Sequence, residues 1–129
     1  MVFLLRGRVI VQGHVEGQAL VSDRPLSFLG GVDAESGVII EKGHPLEGQS
    51  VSGRILVFPT GKGSTVGSYV IYRLAKAGRA PLAIVNAESE AIVAVGALIA
   101  DIPMVDRVDI SRLQTGMKLV IDGEVIRSE

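Results

Sequence analysis

Between Ile55 and Gly78 the spacing of apolar residues changes from that of a buried strand to that of a helix, across a glycine-rich turn. Residues 51–58 read as a strand, and Val66, Val70, Ile71, Leu74 and Ala75 then fall on one face at helical spacing. Gly78 supplies a stop, because a glycine takes the left-handed conformation that ends a helix without a β-carbon penalty. A strand fed directly into a helix confines the chain to folds in which helices cover a sheet.

The flanking sequence fills in the layers. Residues 1–6, 8–12, 18–22, 26–29 and 38–41 read as short strands separated by Gly, Asp and Pro signals. After Pro81 come a strand at 82–85, a second helix running to about Ala100, and a strand at 101–105. Gly96 interrupts that helix at a cost of about 1 kcal/mol relative to alanine, which predicts close packing on a neighbour. A helical turn at 111–113 and a hairpin at 118–126, with a type I′ turn at Asp122-Gly123, close the chain. The expectation is one α/β domain over residues 1–129, a mixed sheet with helices on one side and a β-rich layer on the other, the arrangement called β/β/α.

Composition narrows the partners. Hydrophobic residues make up 47% of the chain and aromatic residues 4%, with no Trp, so the core is aliphatic. Thirteen basic and fourteen acidic residues give a net charge of −1 without a basic block, which argues against nucleic acid as a partner. The absence of cysteine excludes disulfides and thiolate or iron–sulfur ligation by this chain itself. No uninterrupted apolar run reaches the roughly 18 residues of a membrane span, and the N-terminus lacks a leader pattern, so a soluble cytoplasmic protein without a membrane partner is expected. The mean hydropathy of +0.41 fits either a dense aliphatic core or a permanent protein partner.

The turn carries the chemistry. Gly61, Lys62, Gly63, Ser64 and Thr65 combine backbone amides that ligands can approach, a cation and two hydroxyls ahead of a helix start, where unpaired N–H groups favour an anion. It is neither of the two common phosphate loops. Gly63 separates Lys62 from Ser64, which breaks the Walker pattern, and Gly61, Gly63 and Gly67 leave one residue too many for the dinucleotide fingerprint. From these residues alone, Ser64 and Thr65 fit a helix cap as well as an active group, and Lys62 fits a solvated loop lysine. Gly30-Gly31-Val32-Asp33 fits a tight turn closed by the aspartate, with a substrate-facing or interface loop as the second reading.

Four separated motifs occur in order: Ser27 to Ile39 with its Gly30-Gly31-Val32-Asp33 core, His44-Pro45-Leu46 with Gly48, Gly61-Lys62-Gly63-Ser64-Thr65, and Ala80-Pro81 to Ile84. Together they resemble the aconitase X small subunits. That resemblance implies the swivelling β/β/α domain of aconitase, and a separate large subunit carrying a [4Fe-4S] cluster, with the active site between the two chains. It further implies a hydro-lyase in which Ser64 accepts the proton and a cluster iron acts as Lewis acid on the leaving hydroxyl. Gly61, Lys62, Gly63, Thr65, Gly30, Gly31 and Asp33 would then contact substrate. The branch it looks most like dehydrates (R)-mevalonate 5-phosphate to the trans-anhydro product, in the archaeal-type mevalonate route to isoprenoids, as a heterodimer inactive without its large chain. Dehydration of cis-3-hydroxy-L-proline is the related alternative. Ala34 and Thr65 depart from the commoner proline and serine at these positions, which leaves the substrate open.

Two other classes compete. A non-catalytic anion-binding module would use the same turn, and a phosphohistidine swivel domain would need His14 or His44, neither of which follows a glycine-rich Thr-Ser turn. Arg54, Arg73, Arg79 and Arg107 are candidates for a phosphate clamp, none of them assigned.

Overall fold

The computed structural model describes residues 2–129. In chain order the strands are β1 (Leu4–Arg6), β2 (Arg8–Val11), β3 (His14–Val21), β4 (Leu26–Ser27), β5 (Ile55–Phe58), β6 (Gly61–Lys62), β7 (Ala83–Asn86), β8 (Met104–Asp106), β9 (Lys118–Asp122) and β10 (Val125–Ser128). Helix α1 (Gly67–Lys76) lies between β6 and β7, and α2 (Ala91–Ala100) lies between β7 and β8. Eight strands are ordered β1-β10-β9-β3-β5-β7-β8-β2, while β4 and β6 pair separately.

Two stretches of chain turn this strand order into two layers. The first part of β3 pairs antiparallel with β9, and its last residues, Ala19 to Val21, pair parallel with β5. At the other corner β1 pairs with β10 and β2 with β8, on either side of Gly7, where a β-carbon would collide with the Asp106 carbonyl and with Val105 and Val108. Side-chain alternation then loads two cores. Ile55, Val57, Ala83, Val85 and Val105 face the outer layer with Leu119, Ile121 and Ile126. Leu56, Phe58, Ile84 and Met104 face α1 and α2 with Val70, Ile71, Leu74, Val93 and Ala97. Every residue of β5 and β7 is buried, which explains the unbroken apolar runs at 55–58 and 83–85. Each Leu or Phe so placed stabilises the fold by about 2 kcal/mol.

The expected β/β/α architecture is present. Helix α1 ends at Gly78 (φ 71°), where the Arg79 amide donates to Leu74 O (2.9 Å) and the Gly78 amide to Ala75 O (3.2 Å), the paired bonds of a Schellman stop. Gly96 of α2 rests on Ile71 and Ser68 of α1, so the glycine inside that helix does mark a close helix contact.

Several boundaries differ from the sequence reading. Residues 38–41 form no strand: Val38 and Ile39 make isolated bridges to Ser50 and Val32, because the segment is a loop that buries Ile39 and exposes Ile40. The strand expected at 26–29 stops at Ser27, where Gly30 (φ 80°) and Gly31 bend the chain. The strand expected from residue 51 begins at Ile55, after a turn through Gly53 (φ 68°). In the closing hairpin Asp122 pairs with Val125, leaving Gly123-Glu124 as the loop. Positive φ occurs there at Gly123 (59°) and not at Glu124, the pattern of a type II′ turn.

Candidate active site

Strands β3, β5, β7 and β8 run parallel, so the segments that follow β5, β7 and β8 emerge at one edge of the sheet. Ligands of open α/β sheets gather at such carboxyl edges. Here the segments are tied to one another. The amides of Ala87 and Glu88 donate to Pro59 O (3.0 and 3.1 Å), and the Arg107 amide donates to Ala87 O (3.1 Å). Buried Asn86 donates from Nδ2 to Phe58 O (2.9 Å), pinning the base of the glycine-rich turn.

The turn itself is held against the segment after β3. Strand β6 pairs Gly61 with Leu26 and Lys62 with Ser27. A β-carbon on Gly61 would meet Val93 and the Glu90 carboxylate, and one on Gly63 (φ 94°) would meet the Ser27 side chain, so both glycines are required by close approach. Ser64 follows, exposed, with its Oγ accepting a hydrogen bond from the Val66 amide at the start of α1 (3.1 Å). The Ser64 carbonyl accepts from Gly67 (2.9 Å). Among the described residues, the amides of Ser64 and Thr65 have no acceptor, and Val66 at the helix start has no side-chain cap. The Ser64 oxygen is thus the side-chain acceptor at the start of α1, with two amides beside it that have no acceptor among the described residues. Such donors stabilise negative charge on that oxygen or on a ligand anion beside it.

Lys62 is not a freely solvated cation. Its Nζ lies 2.9 Å from Glu41 Oε2, and Glu41 Oε1 accepts from the Ser27 amide (3.2 Å). Burial pushes the Glu41 carboxyl up, but the hydrogen bonds from Lys62 and Ser27 and the charge of Lys62 outweigh it and hold the group below its ordinary value. Gly30 is exposed, whereas Gly31 is buried beneath Ser27 and Glu41. Asp33 closes a turn: its Oδ1 accepts from the amides of Glu35 (2.8 Å) and Ser36 (3.4 Å), and these bonds hold its carboxyl below the usual range.

The structure therefore brings Gly61, Lys62, Gly63, Ser64 and Thr65 together with Gly31, while the Asp33 carboxylate serves its own loop. It also sorts the arginines. Arg54 immediately precedes β5, at the strand end opposite the turn, roughly 13 Å away along the strand. Arg79 follows α1, with the neighbouring Ala80 carbonyl bound to Gly53 at that same end, and Arg73 lies 4.0 Å from Glu35. Arg107 (φ 57°) alone of the four follows a parallel strand at its carboxyl end. His44 is a packing residue: its Nδ1 accepts from Leu46 and its Nε2 lies 3.2 Å from Pro25 O, so both ring nitrogens are engaged. His14 is exposed and lies 3.6 Å from Asp122.

Three residues escaped the sequence reading. Glu90 caps α2 with both carboxylate oxygens, on the amides of Ile92 (3.1 Å) and Val93 (3.0 Å). Buried Asp106 takes two bonds from Arg8 (2.9 and 2.7 Å) and one from the Ser89 amide (3.2 Å). Burial raises its carboxyl and these donors overcome that, bringing it to about 2. Glu41 is the third. Only Glu90, one residue before an apolar helix, had a local signal that could have revealed it.

No group of His, Cys, Asp or Glu among the described residues is suited to hold a metal ion, and the chain has no cysteine. An iron–sulfur cluster therefore has no thiolate ligands here. No helix among the described residues is long and apolar enough to cross a membrane.

The layers and the serine turn define a swivel domain of the aconitase type. The chain belongs to the aconitase X swivel-domain family, whose model matches residues 4–128. It is 59% identical over 120 residues to the phosphomevalonate dehydratase small subunit of Thermococcus kodakarensis, covering 93% of this chain and 90% of that one. The protein of the same name from Methanosarcina acetivorans is 51% identical over 123 residues, with 95% and 83% covered. Among solved structures, the holo-form of Thermococcus kodakaraensis aconitase X matches with a TM-score of 0.97 at 55% identity, covering 98% of each chain. A solution structure of a UPF0107 protein matches with a TM-score of 0.86 at 47% identity, covering 96% and 97%.

Proposed function

We propose that this chain is the small subunit of a phosphomevalonate dehydratase, a single swivel domain over residues 1–129 that supplies the proton acceptor Ser64 to a cytoplasmic heterodimer. The relatives that carry this name cover nearly the whole chain, which supports the substrate. The observation that carries the residue assignment is the Val66 amide on Ser64 Oγ, with the neighbouring amides of Ser64 and Thr65 lacking an acceptor among the described residues.

In this reading the Ser64 alkoxide removes a proton from the carbon next to the substrate carboxylate. The electron pair of that C–H bond forms the double bond, the C–O bond at the adjacent carbon breaks with its electron pair on the departing hydroxide, and return of the abstracted proton from Ser64 to that hydroxide gives water and restores the alkoxide. A serine hydroxyl is a weak base at neutral pH, so what this chain contributes is stabilisation of its alkoxide by fixed amides at a helix start. Gly61, Gly63 and Thr65 shape the surface that the substrate meets, with Lys62, Gly30, Gly31 and Asp33 around it. The cluster belongs to the large subunit, since the donor set of this chain does not suit it.

A permanent partner also accounts for α2. None of its ten residues is charged, yet Val95, Leu98 and Ile99 are 47%, 65% and 60% exposed. A helix apolar on all faces is expected to be covered.

The test is Ser64→Ala in the assembled complex. The complex should still form, and turnover of mevalonate 5-phosphate should fall by about a thousandfold. The isolated chain should show no dehydration until the large subunit is added. Normal turnover by the assembled variant would sink the assignment of the base.

A further inference from the structure

We propose that Glu41 is a positioning residue that acts through Lys62 to fix the turn bearing Ser64, an inference that rests on the reading of Ser64 as the base. Glu41 comes from a loop distant in sequence, and its backbone is anchored first. The amides of Ile40 and Glu41 both donate to Gly31 O (2.8 and 3.2 Å). Its carboxylate then divides its two oxygens. One accepts from the Ser27 amide (3.2 Å) and the other holds Lys62 Nζ (2.9 Å). One side chain therefore joins the loop at 40–41, the segment at 27–31 and the glycine-rich turn.

This junction matters because of where the freedom of the chain lies. Gly63, at φ 94°, separates Lys62 from Ser64, and a glycine there permits many backbone conformations besides the one observed. The two-residue pairing of β4 with β6 fixes the chain only as far as Lys62. With the Lys62 side chain tethered, the approach to Gly63 is held from both backbone and side chain. The ammonium is also kept on the Glu41 carboxylate rather than free to move onto the serine oxygen. A half-exposed ion pair contributes little to stability, so its importance is positional. A small displacement of a reacting group costs far more in rate than such a pair contributes to folding.

The experiment is a double-mutant cycle in the assembled two-subunit complex, with Glu41→Gln, Lys62→Met and the pair together. Glu41→Gln keeps an acceptor for the Ser27 amide and removes the charge that holds Lys62. Each single variant should lower kcat by about tenfold to a hundredfold. For Glu41→Gln, KM should stay within about threefold, since the loss there is in the reacting geometry rather than in substrate binding. Adding Glu41→Gln to Lys62→Met should lower kcat no further, because the first residue acts through the second. Glu41→Asp should recover part of the loss. Wild-type kcat in Glu41→Gln, or losses that multiply in the double variant, would overturn the proposal. Ser64→Ala in the same assay separates the two ideas: turnover retained there removes the base assignment, whereas turnover lost there with an unaffected Glu41→Gln removes only the role of Glu41.

Discussion

The two helices that flank the glycine-rich turn begin in opposite ways. Helix α2 starts from Glu90 in extended conformation (φ −118°, ψ 153°), with its carboxylate on the Ile92 and Val93 amides. Its approach is held by a second carboxylate, Asp106, on the Ser89 amide. Helix α1 starts from Val66, which has no side-chain cap, and the amides of Ser64 and Thr65 just ahead of it have no acceptor among the described residues. A helix N-terminus attracts negative charge in both cases. At α2 the protein has filled that demand with its own acids, so this end serves the fold. At α1 the demand is met only by the neutral Ser64 oxygen on the Val66 amide, with no acid in the first turn, and under the proposed function it acts on that oxygen and on the substrate anion.

That contrast is open to direct attack. The largest loss of stability should come from Arg8→Ala, which leaves Asp106 buried without its cation. Unfolding free energy should drop by more than in either of the variants below, measured by denaturant titration. Acid titration should sharpen the same point. With its folded value near 2 against an ordinary 3.8, Asp106 contributes stability that is fully present above about 3.8 and is lost as pH falls through about 2. In Arg8→Ala the folded value moves back up toward the ordinary one, so this acid-dependent loss should shrink. Removing the α2 cap with Glu90→Ala should cost about 1 kcal/mol in the same measurement. Ser64→Ala should be the mildest, below about 0.5 kcal/mol, because its oxygen is exposed at a terminus that water also reaches. A destabilisation by Ser64→Ala equal to that by Glu90→Ala would make the two helix starts alike.

What the sequence made legible was local. The run from Val66 to Gly78 declared α1 and its stop because helical period and a glycine cap involve neighbours in the chain. Phe58 to Ser64 declared the turn for the same reason. Residues 38–41 were misread because Val-Ile-Ile-Glu has strand composition, yet Ile39 is buried by its own loop and Glu41 is drawn toward Lys62. The contact between Arg8 and Asp106 spans 98 positions, and nothing at either residue names the other. Glu90 carries a weak signal, because helix caps are drawn mostly from Ser, Thr, Asp and Asn, and Ser89 stands next to it. The resemblance marked Ser64, but the partners that shape its surroundings come from segments that only the fold brings together.

The corner strands have one more consequence. Because the stretch from Leu4 to Val11 passes from one layer to the other at Gly7, the outer edges of the eight-stranded order are only three and four residues long. Backbone templates that short give another chain little to add a strand to. Under the proposed function, recognition of the large subunit then runs through side chains and loops, which leaves assembly to surfaces that can be changed one residue at a time without unpicking the sheet.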